Sequence, residues 1–145
     1  MRSRKLMAVS SMLLLATAGE GQQGQRFVVL PGTAAVEIPS AGAWQPSQTD
    51  IDGLETNVPR ISGLKASGWP STIHIDHPEQ YFRQYVPIIR AGEKVIYINA
   101  FCDPQPLSYW RDRLVVVYDG ATCYWQALYD PTTKKFSELR INSRG

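Results

Sequence analysis

Hydrophobic positions change their rhythm near residue 80, where an irregular first part of the chain gives way to a strand-rich last part. From Gln80 to Arg90 the residues are aromatic and β-branched, the loop Ala91-Gly92-Glu93 follows, and Lys94 to Cys102 repeats the pattern. Two β-prone runs around a short glycine-containing loop predict a hairpin. Pro87 lies inside the first run, and because proline has no N–H to give to a ladder, that strand is expected at the sheet edge. Arg113 to Tyr118 is nearly continuously apolar and reads as a central strand covered on both faces. Asp119-Gly120 then has the chemistry of a hairpin turn. Thr122 to Tyr129 and Phe136 to Ile141 complete the strand block, joined by the turn residues Asp130-Pro131-Thr132-Thr133.

Upstream, Arg26 to Leu30 is a short strand candidate closed by Pro31-Gly32, and Thr33 to Pro46 reads as a loop or edge segment with Trp44 on the core. Ser47 and Asp50 have the spacing of a helix-opening cap, and Ile51, Leu54, Val58 and Ile61 then fall on one helical face. Gly53 and Pro59 limit this helix to two or three turns, ending near Val58. Gly63 to Pro70 is a connector, Thr72 to Asp76 a short strand candidate, and Asp76-His77-Pro78-Glu79 a helical turn. The expected class is α+β: about five antiparallel strands, mostly within residues 80–142, packed against one short helix. Strand alternation adds a prediction about faces. If Ile96 and Ile98 face the helix, Tyr97 and Asn99 face away, and Tyr124 and Gln126 oppose Trp125 and Ala127.

The first eighteen residues have the three parts of a secretory signal: basic Arg2, Arg4 and Lys5, an apolar run from Leu6 to Leu15, and small Ala16 and Ala18 before Gly19. Cleavage is expected there, leaving a loose leader at 19–25 and one globular domain at 26–145. The apolar run is short of the roughly 20 residues that a membrane span needs. Loss of the signal removes three of the fifteen Lys and Arg and none of the thirteen Asp and Glu, leaving twelve against thirteen, a net of −1. A near-neutral domain without a basic run lacks the footprint that phosphate backbones demand, so nucleic acid is not an expected partner.

The motifs Arg83-Gln84-Tyr85, Val95 to Cys102, Asp119-Gly120 with Cys123-Tyr124-Trp125, and Tyr129-Asp130-Pro131 resemble small secreted or periplasmic proteins of proteobacteria whose function is uncharacterised. The resemblance covers Tyr81 to Asn142 and implies an exported domain; it brings no catalytic residue with it. Ala121 departs from the Asp-Gly-Gly turn that the resemblance implies.

Candidate chemistry is sparse. Cys102 and Cys123 in an exported chain favour one disulfide. In a plain meander of strands 94–102, 113–119 and 122–130 they would lie about 20 Å apart at roughly 3.3 Å per residue, beyond the ~7 Å that a disulfide spans. Either the loop Asp103 to Asp112 doubles back or the thiols are free. His74 and His77 flank Asp76, but no further His exists to complete a metal site, so neither metal nor cofactor is expected. No Ser sits in a nucleophile elbow. A small secreted hydrolase built on His74 or His77 with nearby carboxylates is one reading, and a structural envelope component is another. The composition favours a third. Arg83, Tyr85, Tyr97, Tyr109, Trp110 and Arg111 are the residue types that dominate contact surfaces, and they are the candidate partner-binding set. The function expected is a non-enzymatic envelope binding module for a periplasmic protein or cell-wall glycan, of a size suited to an inhibitor or immunity protein.

Overall fold

The computed structural model describes residues 24–34, 38, 40 and 42–145; the expected signal at 1–18 and residues 19–23 of the leader lie outside them. Five strands form one sheet in chain order: β1 (Phe27–Val29), β2 (Phe82–Arg90), β3 (Glu93–Phe101), β4 (Tyr124–Asp130) and β5 (Lys135–Ile141). β2 to β5 are antiparallel neighbours, whereas β1 pairs in parallel with β2 from Phe27 opposite Arg83 to Val29 opposite Tyr85. Parallel pairing needs a crossover, and the helix α1 (Gln48–Asn57) lies in it.

The cap at Ser47 forms as its spacing predicts. The Ser47 hydroxyl accepts from the Asp50 amide at 3.2 Å and the Asp50 carboxylate accepts from the Ser47 amide at 2.8 Å. The helix tightens after Asn57 into a 3-10 segment, Val58–Gly63, with Pro59 near its start. Ile51, Leu54, Val58 and Ile61 are buried against Tyr85, Ile96, Ile98, Trp125 and Tyr129. Burial of each such aliphatic side chain contributes about 1.5–3 kcal/mol. Trp44 closes the rim, its indole N–H donating to the Ile88 carbonyl at 2.8 Å.

Three sequence expectations are corrected. β2 is an inner strand, not an edge. Its odd residues turn their backbone groups toward β1, since Arg83 donates to Arg26 and Tyr85 accepts from Leu30. Pro87 continues that parity, so its missing N–H falls where β1 has already ended and no ladder bond is lost. Thr72 to Asp76 is not a strand; Ile75 plugs the core between exposed His74 and Asp76, with half-buried Ile73 packed beside it. Arg113 to Tyr118 bends at both ends and belongs to no ladder, so β4 follows β3 directly in the sheet, and Asp119-Gly120 is no strand-to-strand hairpin. Gly120 is nevertheless required: its φ is +88°, and a Cβ there would come within 2.5 Å of the Tyr124 ring.

Removal of that strand from the ladder resolves the cysteine geometry. Phe101 is the register partner of Tyr124, so Cys102 and Cys123 are the next pair outward, with Cα atoms 5.0 Å apart and a disulfide between them. The loop doubles back over the sheet, as a disulfide requires.

On the helix side, the Arg83 side chain is 3% exposed and serves as a hub. Its guanidinium donates to both Glu55 oxygens at 3.2 and 3.0 Å, to the Tyr85 hydroxyl at 2.9 Å, and to the Pro78, Glu79 and Tyr81 carbonyls. The Tyr85 hydroxyl in turn donates to Glu55. Desolvation would lower the Arg83 pKa, but Tyr85 and Glu55 outweigh it and the net direction is up. Burial pushes the Tyr85 phenol well above its ordinary value; Arg83 opposes this and Glu55 reinforces it. Tyr81 and Tyr129 are raised as well, chiefly by burial.

These shifts fix the sign of an alkaline effect. The unfolded chain loses tyrosine protons first, near pH ~10, so the folded state binds more protons above that point and stability falls as pH rises through it. Urea midpoints should drop between about pH 9 and about pH 11, and Tyr85→Phe should show a shallower drop from a lower neutral-pH starting value. An equally steep drop in the variant would exclude Tyr85 as a contributor. Arg83→Met should cost about 3 kcal/mol, because it strips Glu55 and Tyr85 of their partner, while the partial exposure of Glu55 keeps the loss at the low end for a buried pair.

Candidate functional site

The strand face opposite α1 is where the structure builds a surface feature, and it starts from one row of amides. Gln84 on β2 lies opposite Asn99 on β3, and Asn99 opposite Gln126 on β4. Asn142, just past β5, extends the row. The side chains join hand to hand: Asn99 Nδ2 donates to Gln84 Oε1 at 2.9 Å, and Gln126 Nε2 to Asn99 Oδ1 at 3.4 Å and to Asn142 Oδ1 at 3.2 Å.

This row carries residues 107–119 across the sheet as a strap. Gln84 Oε1 accepts the Val115 N–H at 2.8 Å, and Asn99 Nδ2 donates to the Val115 carbonyl at 2.8 Å. Gln84 Nε2 donates to the Trp110 and Arg113 carbonyls, and Asn142 Nδ2 to those of Val117 and Asp119. Extended backbone needs its polar groups satisfied, and here side chains do what a neighbouring strand would. The strap's near end is packed by Trp110, whose ring meets Phe82 and Phe101 edge-on at 5.6 and 5.7 Å.

Between the strap and the outer halves of the strands lies an open cleft of about 860 Å³. Tyr97 and Leu128 form part of its floor, Val116 and Tyr118 one wall, and Arg140 and Glu138 the β5 side. β5 carries an extra residue there: Gln126 pairs with Arg140 but Leu128 with Ser137, and Glu138 takes a φ of +52°. This bulge brings Glu138 to Arg90 at 2.7 Å, an ion pair that spans from β2 to β5 across the two strands between.

The structure sorts the residues singled out from sequence. Arg83 and Tyr85 are buried on the helix side, so they are no part of a contact surface; strand parity separates them from Tyr97. Trp110 is also buried, as the wedge under the strap, and so leaves the candidate surface. Arg111 lies over the Trp110 ring at 4.3 Å and donates to the Gln25 carbonyl at 3.1 Å. Tyr109 is half-buried beneath the Arg113 guanidinium at 4.6 Å. Tyr97 alone of the six lines the cleft. The predicted parity of Ile96, Tyr97, Asn99 and Gln126 holds, whereas the covered-strand pattern of the strap hides the part that Arg140, Val116 and Tyr118 play. His74 pairs with Asp76 at 3.1 Å and His77 with Glu79 at 3.3 Å, all exposed and outside the cleft lining. Among the described residues no group of three or more His, Cys, Asp or Glu could hold a metal ion, and no helix is long and apolar enough to cross a membrane.

Replacing both cysteines by serine should cost about 3 kcal/mol in urea denaturation, the chain-entropy value for a separation of 21 residues. Hydrogen exchange should then quicken first at the Val115 amide. Trp110→Ala should cost about 3–5 kcal/mol, as loss of a buried aromatic does, and Tyr109→Ala below about 1 kcal/mol, as at a partly exposed site; comparable losses would refute the wedge. Comparison with protein-family models, curated proteins and solved structures finds no match, so the geometry of this face carries the functional reading.

Proposed function

We propose that this chain is an exported, non-enzymatic binding module, and that the cleft between strap and sheet is the surface that takes its protein or glycan partner. The observation that carries this reading is where apolar surface is left exposed. Of the three large hydrophobic residues exposed among the described residues, Val116 and Tyr118 stand together on the cleft wall. Apart from Val29, the described residues keep their other large apolar side chains covered, and an uncovered pair beside a cleft marks a contact site.

Export is supported by the signal-like residues 1–18, by the resemblance of the strand block to secreted and periplasmic proteins, and by a disulfide of the kind that oxidising compartments maintain. Cleavage before Gly19 follows from the Ala16-Thr17-Ala18 sequence.

A photo-crosslinking phenylalanine analogue placed at position 118 of the full chain, in cells that export it, should yield a defined adduct. The same analogue at Thr133, in the β4–β5 turn outside the cleft, should not. Adducts from Thr133 alone, or from neither position, would sink the reading. N-terminal sequencing of the protein released by osmotic shock should begin at Gly19.

A further inference from the structure

The cleft wall has a repeat that its occupant must match. Along the strap, Val115 and Val117 turn toward the Phe101 and Trp110 cluster, while Leu114 packs with Val86, Ile88 and Leu128. Val116 is 43% exposed and Tyr118 77%. All five residues from Leu114 to Tyr118 line the cleft, and the exposed side chains among them are Val116 and Tyr118, alternate residues at a spacing of roughly 7 Å along a strand-like segment.

The backbone alternates in the same way. The Val115 N–H and C=O and the Val117 C=O are taken by the amide row. The Val116 N–H and C=O have no partner among the described residues. Successive residues of a strand-like segment turn their polar groups to opposite edges. The Val115 edge is satisfied by side chains, the Tyr118 carbonyl accepts from the Ser143 hydroxyl at 2.9 Å, and the opposite edge is open at Val116. An open strand edge beside apolar positions at alternate residues is what strand addition uses: main-chain bonds supply affinity, and alternate side chains supply selectivity.

Charge adds a third constraint. Three charged residues line the cleft. Arg90 and Glu138 neutralise each other at 2.7 Å, whereas Arg140 is exposed and has no hydrogen-bond or ion-pair partner among the described residues. One positive charge is left over, and it complements a carboxylate.

We infer that the cleft takes an extended peptide segment of a protein partner, paired with the free edge of the strap at Val116. Its alternate aliphatic side chains lie against Val116 and Tyr118, and a side-chain or C-terminal carboxylate meets Arg140. This rests on the binding-module reading and names its ligand class. A glycan would need several polar groups at the spacing of its hydroxyls, and on this wall Leu114 and Val116 supply none.

Short random peptides displayed on phage, selected against the full exported chain, supply the probe. Enriched sequences should alternate aliphatic residues and carry an acidic residue or a free C-terminus. A synthesised winner should bind about tenfold more weakly to Arg140→Gln, the loss expected for one charge-assisted hydrogen bond. Tyr118→Ala should weaken it as well, and unchanged thermal midpoints would show both variants folded. The decisive measurement is made on the peptide: N-methylation of successive amides should abolish binding at one parity and leave the other parity unaffected. The inference is overturned by an absence of enrichment, by equal binding to both variants, or by N-methylation without parity. If selection fails while position 118 crosslinks to a glycan, the peptide class is wrong and the binding-module reading survives; if both fail, so do both readings.

Discussion

The outer half of this molecule depends on one line of amide side chains, Gln84, Asn99, Gln126 and Asn142, laid across neighbouring strands and bonded to one another and to the strap. Gln84 is fully buried and Asn99 nearly so. An amide in that setting is costly unless its donors and acceptors are used, and here the strap backbone uses them. The dependence runs both ways. Without the strap the amide row would lie open to water, and without the amides the strap would lose the partners of its Trp110, Arg113, Val115, Val117 and Asp119 backbone groups. The cleft lies where the strap leaves Val116 and Tyr118 uncovered.

The same strand that supplies Gln84 supplies Arg83 and Tyr85 to the other face, so β2 organises both layers by simple alternation. On the helix side the solution is ionic, with one guanidinium gathering α1, β2 and the turn at residues 78–80. On the strap side it is neutral. A charged hub suits the helix side because Glu55 keeps some contact with water, whereas the amide row lies under the strap.

How much of this could be read from residues alone follows from how local each cause is. The Ser47 and Asp50 cap, the helix at 48–57, the turn at Ala91-Gly92 and the faces of Ile96, Tyr97 and Asn99 depend on neighbours a few positions apart, and they appear where the pattern puts them. The strap does not. Leu114-Val115-Val116-Val117 has the composition of a buried strand, and what keeps it out of the ladder is a set of amides 16 to 31 residues away from Val115. Chain-length arithmetic on Cys102 and Cys123 is the one signal that points the right way, since it sets a plain meander against a disulfide. Tyr85, Arg83 and Trp110 mislead for a related reason. Composition shows that a residue type suits contact surfaces, but only three-dimensional packing shows whether it is already spent on the core.

The disulfide also decides how the molecule would carry tension. Cys102 leaves the end of β3 and Cys123 enters the start of β4, so the bond is a covalent shortcut beside the register pair Phe101 and Tyr124. Force applied along the chain would run from β3 through the sulfurs into β4 and bypass the residues between. The strap is thereby a slack branch, outside the load path. Its hold on the sheet is set by its amide contacts and by the packing of Trp110, Leu114 and Val115. A pull on the N-terminal side would load the sheet before the cleft wall, whereas a pull on the C-terminus would act first on the Asn142 and Ser143 contacts to Val117, Tyr118 and Asp119.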